Sequence, residues 1–331
     1  MIECVPNISE GVNQATIKAI AEAIKKVKGV SLLHIDPGVD ANRTVYTFAG
    51  EVEAVFEAAF SAIKLAIELI DMQSHFGKHP RIGACDVCPF VPISGISTEE
   101  LVELTEQFAQ KVSEELKLPI FLYEHSAKKE NRRNLAHHRI GNYEALEERI
   151  KEKKWLPDFG SYRAKSGGTV MGVRNYLIAY NINLKSKDVD IAKEIAYDLR
   201  SLGRPIGKKD GKTIYQKGRL QHLKAIGWYI EDYQRAQVST NLTNYLETPL
   251  HLVYESCREL AKKYAVEVSG SELIGLIPKN ALLAAGRFYS SREDLSEQQM
   301  IKNAVNKLGL DELKPFDFKK RVLEYLIDIN D

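Results

Sequence analysis

The order strand, helix, strand, strand, helix, strand can be read twice along this chain, and few architectures satisfy that order. In the first half, residues 2–6 read as a short strand. Residues 14–28 follow as a helix, with Ile17, Ile20, Ala21, Ile24 and Val27 at helical spacing. Strands are expected at 30–35, ending on Asp36, and at 43–48. A long amphipathic helix over 51–70 and a short strand at 90–93 complete the first series. A helix over 98–116, opened by Thr98 with Leu101 as its first core residue, and an apolar strand at 119–123 come next. In the second half the same order reads as a strand over YLIAYNINL, a helix at 188–202, a hairpin of 220–230 and 234–242 around EDYQ, a helix at 249–264 and a strand at 266–268. The expected fold class is therefore α+β, two similar ferredoxin-like β-α-β-β-α-β subdomains with a cleft between them. The assigned spans are 1–175, 176–290 and a charged helical tail at 291–331.

Three stretches escape this reading. Residues 126–138, SAKKENRRNLAHH, are basic and polar, and 143–154 read as a charged helix. WLPDFGSYRAKSGGTVMG, 155–172, has little periodicity and reads as a long loop near the boundary. Loops of that length inside compact domains are usually functional or disordered, and Trp155, Phe159 and Tyr162 argue against disorder. RPIGKKDGKTIYQKGR, 204–219, reads as a basic, Gly-rich loop.

The 331 residues carry 46 Lys and Arg against 45 Asp and Glu, a net charge of +1. A general nucleic-acid binder needs a basic excess to neutralise phosphates, so that class is not expected. No apolar run reaches the ~20 residues of a membrane span. Four cysteines are too few for a disulfide scaffold, and the N-terminus lacks a signal-peptide pattern. Cytoplasmic residence is the expectation.

Chemistry concentrates in DMQSHFGKHPRIGACDVCPF, 71–90. His75 and His79 have the i, i+4 spacing of helical metal ligands, but Gly77 and Pro80 deny them a helix, so no metal is expected. Cys85 and Cys88 form a single CxxC that continues into extended chain, which favours buried structural thiols. His79-Pro80-Arg81 is the sharper unit. Proline fixes its own φ and holds the residue before it extended, so the imidazole sits on stiff backbone, as a general acid or base should. Arg81 is placed to hold a carboxylate bidentately. A loop histidine bonded to a neighbour is the plainer alternative. Asp36 ends an apolar strand, and turn chemistry and a cleft-facing carboxylate explain it equally well. SAKKENRR, RAK and GKKDGK are candidates for an anionic substrate, although solvated surface charge accounts for most of their lysines.

Taken in order, CVPNISEG, HIDPGVDANRTVYTF, DMQSHFGKHPRIGACDVCPF, WLPDFG, YLIAYNINL, GWYIEDYQRAQVSTNL and GSELIGLIP resemble the glutamate formimidoyltransferase (formiminotransferase) family over roughly residues 2–290. The resemblance implies transfer of the formimino group from N-formimino-L-glutamate to N5 of tetrahydrofolate, a co-substrate, as in histidine degradation. It implies folate lying between two subdomains, a homodimer, and no metal or redox cofactor. A cyclodeaminase domain does not fit in the tail, so ammonia release is expected to need a separate enzyme. By the same resemblance the catalytic histidine falls on His79 and the family's acidic residue on Asp36. The folate-contacting loop falls on Gly160, Ser161, Tyr162, Arg163, Ala164, Lys165, Ser166 and Gly167. Glu272 stands where animal members have glutamine. For the reaction so implied, Asn42, Arg43 and Arg81 are substrate-binding candidates, with Arg43 or Arg81 for the glutamate carboxylates. Related transfer of a formyl group involving 5-formyltetrahydrofolate, and a non-catalytic folate-binding protein, are the alternatives.

Overall fold

The computed structural model describes residues 1–292 and 294–327 and divides into two units, Met1–Asn175 and the chain from Tyr176 onward. The first unit begins with β1 (Ile2–Cys4) and β2 (Asn7–Ile8). Both pair with the same two neighbours, so they are one strand interrupted at Val5-Pro6. Proline has no N–H for a ladder, and Pro6 instead offers its carbonyl to Tyr46 N–H at 3.1 Å. Then come α1 (Gln14–Lys25), β3 (Val30–Gly38), β4 (Arg43–Gly50), α2 (Val52–Leu69), β5 (Cys85–Pro92), α3 (Thr98–Leu116), β6 (Ile120–Leu122), the single turns α4 (Leu135–His138) and α5 (Leu146–Arg149), and β7 (Thr169–Val173).

The helices start where their caps dictate. The Asn13 side chain accepts from Ala15 and Thr16 N–H at the head of α1. Ser97 and Glu100 form a reciprocal capping box on α3. In the sheet β3 lies beside β4, β4 beside the β1–β2 strand, and that strand beside β5, all antiparallel; β7 and then β6 extend it in parallel. One face buries Tyr46, Phe48 and Phe90 against Ile20 and Ile24 of α1, Val55 and Ile63 of α2, and Phe108 and Val112 of α3. The alternate residues of the extension, Val87, Val170 and Phe121, form a smaller core with Ile82, Tyr123 and Leu146 on the opposite face.

The second unit contains β8 (Ile178–Leu184), α6 (Val189–Leu199), β9 (Arg204–Lys209), β10 (Lys212–Gln216), β11 (Leu223–Ile230), β12 (Arg235–Leu242), α7 (Leu250–Lys262), β13 (Val268–Ile274), α8 (Lys279–Phe288), α9 (Glu297–Leu308) and α10 (Leu323–Leu326). Its four-stranded sheet runs β11-β12-β8-β13, all antiparallel. Counted in chain order, the strands lie in the same spatial sequence as the first four of the other unit.

Several expectations need correcting. The interval 155–172 is not all loop, because β7 inserts between β5 and β6. The charged helix expected at 143–154 is broken into short turns. The basic stretch 204–219 folds into the exposed β9–β10 hairpin. The tail joins the second unit's core through Ile301, Ala304, Leu308 and Val322, which pack with Ile178, Tyr180 and Leu282. Among the described residues no helix is long and apolar enough to cross a membrane.

Candidate active site

Residues 71–84 connect α2 to β5, and backbone bonds hold both of their ends. Met72 N–H meets Lys165 C=O at 2.8 Å, and Ala84 N–H meets Ser166 C=O at 2.8 Å. The middle is fixed by Asn42, in the turn between β3 and β4. Its side chain accepts from Gly11 N–H at 2.9 Å and donates to Phe76 C=O at 2.7 Å. Asn42 adopts φ 45°, a left-handed conformation that asparagine tolerates better than most residues. Gly77 sits directly against this turn, and a Cβ there would run into the Ala41 carbonyl oxygen. Asn42, expected to bind substrate, therefore has its side chain occupied in joining three loops.

The two histidines have separate surroundings. His75 is buried, donates from Nε2 to Asn42 C=O at 3.1 Å and accepts Arg81 Nε–H on Nδ1 at 3.3 Å. Arg81 also bonds His75 C=O at 2.9 Å and holds Glu144 bidentately at 2.9 and 2.7 Å. Its guanidinium, expected to hold a substrate carboxylate, is thus engaged within the protein by His75 and Glu144. The Arg81 bonds hold the Glu144 carboxyl below its usual range.

His79 is half-buried. Its Nδ1 lies 2.7 Å from Pro80 C=O and its Nε2 2.9 Å from Arg43 Nη1. The first contact has Nδ1–H donating, which leaves Nε2 unprotonated. Arg43 Nη1 also lies 3.4 Å from Nδ1, so this guanidinium nitrogen stands over the ring and not in line with the Nε2 lone pair. Burial, then the charges of Arg43 and Arg139, press the imidazole down to about 2, against the Pro80 bond. It is neutral at physiological pH. Arg43 is lowered to about 10 by burial and by Arg139, with Asp86 and Asp36 opposing, and so stays charged.

Arg139 carries one charge of this site that the sequence reading did not find; it stands one residue beyond the basic stretch 126–138. It forms an ion pair with the fully buried Asp86, whose other carboxylate oxygen accepts Ile82 N–H at 2.9 Å. Asp86 thereby ties Arg139 to the backbone three residues past His79. Asp36 is half-buried opposite Val45 in the β3–β4 ladder. Rather than bonding His79 across the turn, it acts on Arg43 through its charge.

In the segment 160–167, Arg163 donates to Leu116 C=O at 2.8 Å and Lys165 to Glu68 C=O at 2.9 Å. These carbonyls end α3 and α2, neither of which has a basic residue in its own last turn. The two cations therefore serve as C-terminal caps. Ala164 C=O accepts Tyr143 O–H at 2.7 Å, Ser166 is buried, and Gly160 and Gly167 take positive φ. In the second unit Glu272 accepts Tyr233 O–H at 2.9 Å beside the buried Gln237, which bonds Asn183 at 2.6 Å. Cys4, Cys85 and Cys88 are buried free thiols, and burial raises Cys4 despite its 3.6 Å contact with Cys88. Among the described residues no group of three or more His, Cys, Asp or Glu is placed to hold a metal ion.

The site thus presents a neutral imidazole on a braced loop, beside a guanidinium with no carboxylate partner among the described residues. The model of the formiminotransferase domain N-terminal subdomain matches residues 1–174, and that of the formiminotransferase domain matches 179–328. The chain belongs to the formiminotransferase family. The match runs well past residue 290, in keeping with a tail that shares the second core. Formimidoyltransferase-cyclodeaminase of Rattus norvegicus is 48% identical over 332 residues, 99% of this chain and 60% of that protein. The chain thus spans about 60% of the length of that relative. Glutamate formimidoyltransferase of Streptococcus pyogenes serotype M1 is 41% identical over 303 residues, 91% of this chain and 97% of that protein. Glutamate formimidoyltransferase of Thermoplasma acidophilum is 38% identical over 310 residues, covering 93% and 98%.

Proposed function

We propose that this chain transfers the formimino group of N-formimino-L-glutamate to N5 of tetrahydrofolate, releasing L-glutamate. The observation that carries the reading is His79, neutral, Nδ1-protonated and facing a half-buried arginine. N5 attacks the amidine carbon, and the departing glutamate nitrogen must leave with a proton. A neutral Nε2 can take the N5 proton and return it to that nitrogen. Arg43, with no carboxylate of its own among the described residues, suits a carboxylate of the amino-acid donor. Asp36 biases the same arginine and favours the cationic formimino group.

The same proposal retains the segment 160–167 as a folate contact through its exposed surface, with Arg163 and Lys165 doubling as helix caps. Glu272, within the second unit, is retained as a folate-contacting carboxylate. The repeated strand order supports treating both units as ferredoxin-like. A homodimer in the cytoplasm, working without a metal, completes the reading.

The direct test mixes the protein with tetrahydrofolate and formiminoglutamate and follows 5-formiminotetrahydrofolate and glutamate. A His79→Ala variant should lose ~10²–10⁴-fold in kcat, the usual contribution of a positioned acid/base, while binding folate normally. Full kcat in that variant removes His79 from the mechanism. No product from the unmodified protein removes the functional reading.

A further inference from the structure

The His79 ring is oriented by the Pro80 carbonyl, 2.7 Å from Nδ1. That carbonyl lies in the planar peptide joining Pro80 to Arg81, so a group that anchors Arg81 also fixes the acceptor of the imidazole. Arg81 is buried, and Glu144 takes its two Nη atoms at 2.9 and 2.7 Å. The residue before it, Tyr143, donates its O–H to Ala164 C=O at 2.7 Å. Ala164 precedes Lys165 and Ser166, whose carbonyls accept Met72 N–H and Ala84 N–H at either end of the His79 segment, each at 2.8 Å. Consecutive side chains of one turn therefore hold both the His79 segment and the chain that braces it.

The turn itself is fixed in place. Tyr143 packs on the larger core of its unit, and Leu146 is buried in the smaller one. Asn142, just before the pair, adopts φ 57° and ψ −162°, close to a region that belongs almost wholly to glycine. Such strain persists where the surrounding structure over-determines it, and it gathers at functional sites.

We propose that Glu144 and Tyr143 are positioning residues for formimino transfer: Glu144 sets the His79 ring through Arg81 and the Pro80 carbonyl, and Tyr143 holds residues 164–166 against the same segment. One turn then keeps the acid/base group in register with the 160–167 segment. The proposal rests on the formimino-transfer reading and adds to it two residues that act through others. A purely structural ion pair or tyrosine hydrogen bond would move the melting temperature and leave turnover by the folded enzyme unchanged. A positioning pair moves turnover itself, because misplacing a reacting group by about 1 Å costs ~10²-fold in rate.

The experiment measures kcat and both KM values, well below each melting temperature, for wild type, Glu144→Ala, Glu144→Gln, Tyr143→Phe and the double variant Tyr143→Phe/Glu144→Gln. Glu144→Ala should lose ~10²-fold in kcat, with KM for formiminoglutamate within about threefold of wild type. Glu144→Gln keeps an amide oxygen that still accepts from Arg81, and should recover about tenfold of that loss. Tyr143→Phe removes only the bond to Ala164, and should lower kcat about tenfold and raise KM for tetrahydrofolate about fivefold. In the double variant the loss of kcat should be smaller than the product of the two single losses, since either break frees the same register. Wild-type kcat in folded Glu144→Ala or Tyr143→Phe overturns the positioning role. Glutamine no better than alanine at position 144 overturns the route through Arg81, and single losses that simply multiply overturn the shared clamp. Unmodified protein that makes no 5-formiminotetrahydrofolate sinks the functional reading itself, a result distinct from all of these.

Discussion

At the scale of single residues, the structure separates two arginines that the sequence left equivalent. Arg81 is buried and joins His75 to Glu144, whereas Arg43 reaches His79 and has no carboxylate partner among the described residues. Their alanine variants should fail differently. Arg81→Ala leaves acceptors on His75 unbonded inside the protein, at a cost of about 1–3 kcal/mol. Its melting temperature should fall, and activity should fall with it. Arg43→Ala should keep its melting temperature and raise KM for formiminoglutamate at least tenfold. The distinction collapses if both variants melt alike. His79 was legible in the sequence because proline stiffens the chain around it. Arg139 was not, since its place depends on an ion pair with Asp86, 53 positions earlier.

Elements position these side chains through backbone contacts too close for any side chain. Gly77 packs against the carbonyl of Ala41, and the turn it meets carries Asn42 and leads into Arg43. Gly77→Ala should push the 71–84 segment outward and displace His79 from Arg43. Misplacement by about 1 Å is enough to cost ~10²-fold in rate. We expect kcat/KM for formimino transfer to drop by about that factor, with the melting temperature only a few degrees lower. A variant with wild-type kcat/KM would show that the close approach is dispensable. The long helices were the easiest elements to read, because their apolar residues recur at helical spacing; the caps Asn13 and Ser97 became evident only in the structure. β7 was missed because a short strand buried on both faces has no alternation to betray it, and Gly172 disguises it further. The eight residues of β5 were hidden behind Pro89 and the polar segment preceding them.

Across the whole molecule, each unit has its own core, and acid should weaken the first through a histidine outside the reaction. His138 is fully buried, donates from Nε2 to Arg132 C=O at 2.7 Å and has no partner on Nδ1. Burial, only partly opposed by that bond, lowers it to about 4. Below its ordinary value near 6.5 the unfolded chain takes up a proton there and the folded chain does not. Stability therefore falls as pH drops from about 6.5 to 4, by up to ~1.4 kcal/mol per pH unit from this group. Urea midpoints measured across that window should flatten in His138→Gln relative to wild type. Parallel profiles would assign the acid sensitivity elsewhere.

The sequence by itself determined what depends on neighbours along the chain. That covers the long amphipathic helices, the order of elements repeated in both halves, and the stiff His-Pro-Arg step that singled out His79. The tertiary structure decided what depends on groups far apart in the chain. It inserted β7 into the sheet, drew the tail into the second core and turned Arg81 inward. It also set Arg43 and Arg139 upon one imidazole. Local preference is written residue by residue, whereas burial and the field at a site are sums over the folded chain, so they become readable only once that chain is folded.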